Sequence, residues 1–532
     1  MKSKYIAIAV AITAGMGLTS CNDWLKEESP GSNKLEDFFT GGAVCIQSVN
    51  ACYAPLAWEF NNTYFSEWYI GDIASDDALK GGQDVADDGN AYDIDNFKVN
   101  INNGILLDYY RAKYQGIIRC NLTLREVSKV EPDDAMTQER KDCLLGEAYF
   151  LRGFYYFQLV RVFGGVPLVD DVIDSNDRWQ QPRATAEQVY AHIVKDFETA
   201  EGLLWNKSEY AATDLGRATK GAAQAMLCKA YLYMKDYDNA YIWGKKWVDN
   251  QYNKEYRLVA DYASIFSLAG ENGDESVFEI QYMEDPTSDY GEGFGFTRGT
   301  FTTILCRPRA SALNSNKGWG FDHPTHNLYA EYEAGDPRRD LTIGSFDDAI
   351  SQEVEMNYLG SSYYNLKNSY MESDGTFPAL AHDSRSPMNY RLVRAADVLL
   401  LYAEAALESG RDLTAAKWAL EQVRARARRM SADANVLPAF PYGSYSDNAD
   451  DLRKALRHER RVELAMEGHR WFDLVRWGIA YEVLDKDAGS YGRTESDEAR
   501  AEMANFIKGK NELFPIPSEE IILNPMDQNP GY

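Results

Sequence analysis

The chain has 532 residues, 45% of them apolar, with 82 acidic against 55 basic side chains and a formal net charge of −27. Such a charge repels nucleic acid phosphates and anionic lipid surfaces, so neither is expected as a partner, and a neutral or cationic ligand or a protein fits better. The length and apolar content suffice for a sizeable core, and no later apolar run reaches the roughly 20 residues of a membrane-spanning helix.

In chain order, Lys2 and Lys4 precede a short apolar stretch from Tyr5 to about Met16, closed by Leu18-Thr19-Ser20-Cys21. A charged start, a short apolar run and small residues before the cut predict a signal peptide over 1–20. The Leu-x-x-Cys ending looks like a bacterial lipobox, so the Cys21 thiol is expected to carry diacylglycerol and be the only attachment to a membrane. Residues 21–34, polar and interrupted by Pro30 and Gly31, read as a lipidated tether, and 35–532 as one domain. The other six cysteines show no Cys-x-x-Cys spacing and are expected to be buried free thiols.

Helical periodicity dominates from there. It predicts helices from about Leu107 to Val130 and from about Gln138 to Val162, the second apolar on nearly all sides and therefore buried. Gly164-Gly165-Val166-Pro167 stops that helix, and Thr185 with Gln188 three residues on is a capping box for the next. Ala222–Met234 with Ala240–Val248, and Asp397–Leu407 with Ala415–Ala427, share a helix–turn–helix rhythm of small alanines facing aromatics and leucines, loosely of tetratricopeptide type. The fold class is thus mostly α, a scaffold of helical pairs with long irregular insertions at about 58–105 and 270–390. Such long stretches, rich in Gly, Asn, Asp, Tyr and Phe, are expected to carry function.

Three passages carry a family resemblance: Gly146-Glu147-Ala148-Tyr149-Phe150-Leu151-Arg152 running on to Phe163-Gly164-Gly165-Val166-Pro167-Leu168; Arg394 to Ala405; and Glu459-Arg460-Arg461-Val462-Glu463-Leu464 with Glu467 to Gly478. With Phe514-Pro515-Ile516-Pro517 and the Asn529-Pro530-Gly531-Tyr532 ending, the chain resembles the SusD/RagB family of Bacteroidetes surface lipoproteins. Lys26-Glu27-Glu28 is similar to the acidic surface-export signal of such proteins. The resemblance implies four tetratricopeptide-like helical pairs and a non-catalytic role. It also implies capture of an oligosaccharide or polysaccharide at the cell exterior, beside a TonB-dependent, SusC-like outer-membrane transporter. The Glu459–Arg476 run itself reads as a folding element, since Asp473 and Arg476 are spaced to pair on a helix and Gly468 permits a close approach.

A sugar-binding surface wants a flat aromatic under the ring and amide, carboxylate or guanidinium groups at its edge. Trp243, Trp247, Trp418, Trp471 and Trp477 lie on predicted helices and are assigned to the core, whereas Trp58, Trp68, Trp179 and Trp319 lie in irregular regions. Family members bind ligand through an N-terminal loop and a second loop corresponding to about 280–325, which here holds Tyr282, Tyr290, Phe294, Phe296, Arg309 and Trp319. Trp68 and Trp319 are therefore the expected stacking platforms, with Phe296 beside them and Asp72 and Asp76 as hydroxyl acceptors. Truncation of either tryptophan should weaken binding without lowering stability.

No cofactor motif is read. The acidic cluster Asp84, Asp87, Asp88, Asp93 and Asp95 departs from the calcium-loop pattern and reads as a solvated loop, with calcium as its alternative. His323 and His326 would need a further ligand to hold a metal. A surface glycoside hydrolase and a peptide-binding tetratricopeptide scaffold stay open as alternative functions.

Overall fold

The computed structural model describes residues 38–59, 66–173, 179–284, 299–309, 317–345, 361–369, 380, 385–487 and 501–532. The signal peptide, the tether and Cys21 lie outside the described residues. Among the described residues, ten main helices bury an apolar face, and seven of them start on a capping side chain. They are α1 (Gly42–Tyr53), α2 (Gly104–Val127), α3 (Gln138–Phe163), α4 (Ala186–Leu203), α5 (Lys220–Tyr233), α6 (Tyr237–Asn250), α7 (Ala395–Glu408), α8 (Leu413–Met430), α9 (Ala449–Leu464) and α10 (Arg470–Arg476). Asn103 caps α2, Thr137 caps α3, and Thr185 and Gln188 form the expected reciprocal box on α4, satisfying backbone N–H groups that the first turn leaves unpaired.

Taken two at a time, α1/α2, α3/α4, α5/α6 and α7/α8 are four packed helical pairs, and the last two are joined by the short turns read from the sequence. Each helix from α2 to α8 also lies against the next, although about 145 residues separate α6 from α7. α3 is buried all round, as its composition requires: Phe150 and Phe154 meet Phe278 edge-on at 4.9 and 5.4 Å. The six described cysteines are free and buried.

The insertions are not irregular throughout. Three two-stranded antiparallel ladders run through them, pairing β1 (Ala78–Gly81) with β3 (Phe321–Pro324), β2 (Ser276–Ile280) with β6 (Tyr390–Arg394), and β4 (Ile343–Ser345) with β5 (Tyr363–Asn365). The first joins the two insertions to each other, with Leu79 opposite His323 and Gly81 opposite Phe321.

A buried charge network fastens these ladders to α9 and α10. Glu459 accepts from Arg338 and Arg424, Glu463 from Arg338, Arg394 and Arg426, and Glu467 from Arg394 and Lys367. Arg460 bridges Asp397 and Asp473, and Arg476 donates to Asp473 at 2.9 Å, three residues back on the same helix. Taking so many charges out of water costs several kcal/mol per ion, so the pairs hold only as a complete set. Gly468, with φ +74, sits where the chain turns from α9 into α10. The close approach it permits is to the Glu67–Gly71 helical turn, where a Cβ on Gly71 would lie 2.2 Å from the Gly468 carbonyl oxygen.

His458 on α9 lies between Glu331 (2.7 Å) and Glu333 (3.2 Å). Burial disfavours its charged form, but hydrogen bonds to the two carboxylates outweigh burial and raise its pKa to about 9. A raised histidine pKa stabilises the fold fully below the unfolded value of about 6.5, and that contribution is lost as pH rises through about 9. His458→Gln should therefore flatten the fall in melting temperature between pH 6.5 and 9, as thermal melts across that range would record.

Candidate functional site

The platform expected at Trp68 is a core residue. It is fully buried, stacked on Tyr69 at 3.9 Å, and its indole N–H donates to Thr302 at 3.2 Å. Asp72 is equally buried and accepts from the Gly468 N–H through both oxygens, at 3.0 and 3.1 Å. Burial, with Asp322 and Asp77 close by, pushes its carboxyl well above the usual carboxylate range. Asp76 is also inside. Burial would raise its pKa, but Arg461 and Arg470 outweigh that and hold it well below the usual value, with Arg470 donating at 2.7 and 2.9 Å. None of the three can reach a ligand in solvent, because downstream segments invisible to local pattern close over 66–81. Phe296, like Tyr64, Tyr290 and Phe294, lies outside the described residues.

Trp319 is the expected platform that remains near the surface. It is half-buried and leans on the fully buried ring of Phe301 at 6.4 Å. Its backbone N–H donates to Ile304 at 2.9 Å and its carbonyl accepts from Arg309 Nε at 3.0 Å, so the residue is held at both ends. Just beyond the β1–β3 ladder the Gly82 N–H donates to the Gly320 carbonyl at 2.6 Å, which brings the turn after β1 alongside Trp319. Arg309 spans the junction, reaching Gln83 Oε1 at 3.2 Å and Asp87 Oδ2 at 2.9 Å. Gln83 and Asp84 are exposed there. The junction thus carries a half-buried indole together with an amide, two carboxylates and a guanidinium, the residue types that meet the C–H face and hydroxyl rim of a sugar ring.

Below this surface, Glu59 ties the insertions together. Its buried carboxylate accepts from Tyr282 (2.7 Å), Thr300 (2.6 Å) and the Phe301 N–H (2.7 Å). Tyr282 is therefore a structural donor and not a contact residue. The aspartates of the acidic cluster hold turns: Asp84 accepts from Ala86 and Asp87, Asp88 from Ala91, and Asp95 from Lys80. His323 is buried, accepts from Ser361, and is driven down to about 4 by burial, while His326 is exposed. Of the remaining tryptophans, Trp58 is half-buried with Arg119 over its ring at 4.9 Å, and Trp179 is 53% exposed. Trp418, expected in the core, is 38% exposed, since α8 turns that side of its helix outward. Gln83 and Asp87 were not expected as partners of Arg309 beside Trp319. The signal for them was the glycines on both sides of the junction, Gly81-Gly82 and Gly318 with Gly320, which mark a close backbone approach.

Comparison with known proteins places this architecture. The sequence model of the SusD family matches residues 170–532, and a second, described as starch-binding associating with outer membrane, matches residues 23–232. SusD-like protein P2 of Formosa agariphila is 26% identical over 97% of this chain and 97% of its own length. A SusD-like protein of Bacteroides ovatus is 24% identical over 100% of this chain and 98% of its own. Among solved structures, a laminarin-binding SusD-like protein superposes with a TM-score of 0.76 at 27% identity, covering 93% of this chain and 100% of that one. The surface glycan-binding protein A of Bacteroides thetaiotaomicron in complex with laminarihexaose has a TM-score of 0.74 at 23% identity and shares the fold. With the family model covering more than half of the sequence and the helical pairs in place, the chain belongs to the SusD family.

Proposed function

We propose that this protein captures a glycan at the cell surface, without cleaving it, on the surface centred on Trp319. The observation that carries this reading is a half-buried indole at the junction where Arg309 holds the Trp319 carbonyl, Gln83 and Asp87 together, in a SusD-family chain. The laminarin-binding SusD-like structure, 27% identical, makes laminarin the first ligand to try. Trp319→Ala should weaken retention in laminarin or another retained polysaccharide more than tenfold, about 1.4 kcal/mol. Its melting temperature should hardly move, and Trp319→Phe should recover part of the affinity. Affinity electrophoresis over a polysaccharide panel measures this, and reducing ends accumulating in the same incubation would replace capture by hydrolysis. Undiminished retardation of the alanine variant would remove Trp319 from the site.

The same reading anchors the mature chain to the outer membrane through acylated Cys21, facing outward beside a TonB-dependent, SusC-like transporter that receives the glycan. The family description of outer-membrane association supports the location. Cys21→Ser should release the protein from the membrane fraction, and a variant that still sediments with membranes would disprove the lipid anchor. Co-purification with an outer-membrane barrel protein from detergent extracts tests the transporter.

A further inference from the structure

A cleft with a volume of about 290 Å³, with neither Trp319 nor Arg309 in its lining, lies between α1 with the Ala54–Ala57 turn, the 213–217 loop, and the end of β2. Its walls are built and held. Arg217 donates to Glu147 Oε2 at 2.9 Å, Asp214 Oδ1 at 2.6 Å and Asn50 Oδ1 at 2.8 Å, pinning the loop to α3 and α1. Tyr53 donates to the same Glu147 oxygen at 2.9 Å and accepts from the Ala218 N–H at 2.9 Å. Gly216, at φ +95, seats the loop on Gln281, where a Cβ would come within 2.5 Å of that side chain, so only glycine closes this wall. Gln281 is in turn fixed by reciprocal amide bonds with Asn272 at 2.8 and 3.0 Å.

The chemistry of the lining points to one ligand class. Ala54, Ala57 and Ile280 give an apolar floor, and Leu215 stands at the lip, 45% exposed. Asn50 spends only its oxygen on Arg217, and Asp214 only Oδ1 on its two arginines, so an amide N–H₂ and a carboxylate oxygen remain for a ligand among the described residues. Arg217 spends three of its five N–H donors on these acceptors, and Glu147 and Asp214 offset its charge, so the cleft does not favour an anion. Ligand pockets run from roughly 300 to 1,000 Å³, so at about 290 Å³ this cleft has the size for one ring.

We propose that the cleft is a second binding site, taking a single neutral sugar ring of hexopyranose size. This goes beyond the Trp319 surface and does not depend on it. The probes are methyl β-D-glucoside, methyl β-D-galactoside and methyl α-D-mannoside, each titrated against the full mature chain by saturation-transfer NMR. At least one should bind both the wild type and Trp319→Ala. That binding should weaken about tenfold in Asn50→Ala, which removes the amide donor. It should weaken likewise in Leu215→Asp, which sets a charge against the C–H face at an exposed position, with melting temperatures confirming both folds. The proposal is overturned if none of the three glycosides binds, if binding survives both cleft variants, or if Trp319→Ala abolishes it. Retention of Trp319→Ala in polysaccharide gels is read separately, so failure of the surface reading and failure of the cleft give different results.

Discussion

Trp68→Ala is expected to destabilise the fold by about 3–5 kcal/mol, the range for removing a large buried aromatic, and not to act through ligand contact. The side chain has no exposed surface, stacks on Tyr69 at 3.9 Å, and is anchored by the 3.2 Å bond to Thr302. Truncation opens a cavity under the junction of both insertions and leaves the Thr302 hydroxyl one donor short. Trp68→Phe keeps most of the packing and loses only the hydrogen bond, so it should cost much less. Denaturant titration of both variants decides the matter. If Trp68→Ala melts like the wild type and loses glycan retention, the side chain is a platform after all and its buried placement is wrong.

Glu463→Ala should cost a similar amount, about 3–5 kcal/mol, the penalty of leaving buried charge without its partner. Glu463 is fully buried and accepts from Arg394 at 2.6 Å, from Arg338 at 2.9 Å and from Arg426. Burial alone would raise its pKa, but the three guanidiniums, Arg426 foremost, hold it well below the usual carboxylate range. A depressed carboxyl contributes stability that is present above the unfolded pKa of about 4.3 and lost as pH falls through the folded value. Glu463→Gln should accordingly be less stable at neutral pH yet lose less on acidification, a difference that denaturation at pH 7 and pH 3 measures. Equal losses for the glutamine variant and the wild type would mean that this carboxylate is not ionised in the fold.

The helical scaffold was legible because its signals are local. Periodicity, the Thr185–Gln188 box and the glycine stop after α3 each act within a few residues, and each sits where the pattern put it. The acid–arginine run of α9 and α10 was legible as a folding element through the local Asp473–Arg476 pair, although Glu459, Glu463 and Glu467 find their partners far along the chain. The binding surface was not, and residues 66–81 show why. Their aromatic and acidic composition is that of an exposed loop, yet Arg470, 394 residues further along, neutralises Asp76, and Gly468 meets the turn of Gly71. A charged residue in an irregular stretch looks the same in sequence whether water or a distant guanidinium solvates it. Trp418 fails in the opposite sense: its helix was correctly read, but which side of α8 faces solvent depends on what packs against it.

From the sequence by itself follow the mostly helical class, the pairing of helices joined by short turns, and the family. Tertiary structure alone decided which aromatics and acids remain within reach of a ligand. Exposure belongs to a residue's neighbours in space, and for Trp68, Asp72 and Asp76 those neighbours are more than 200 positions away.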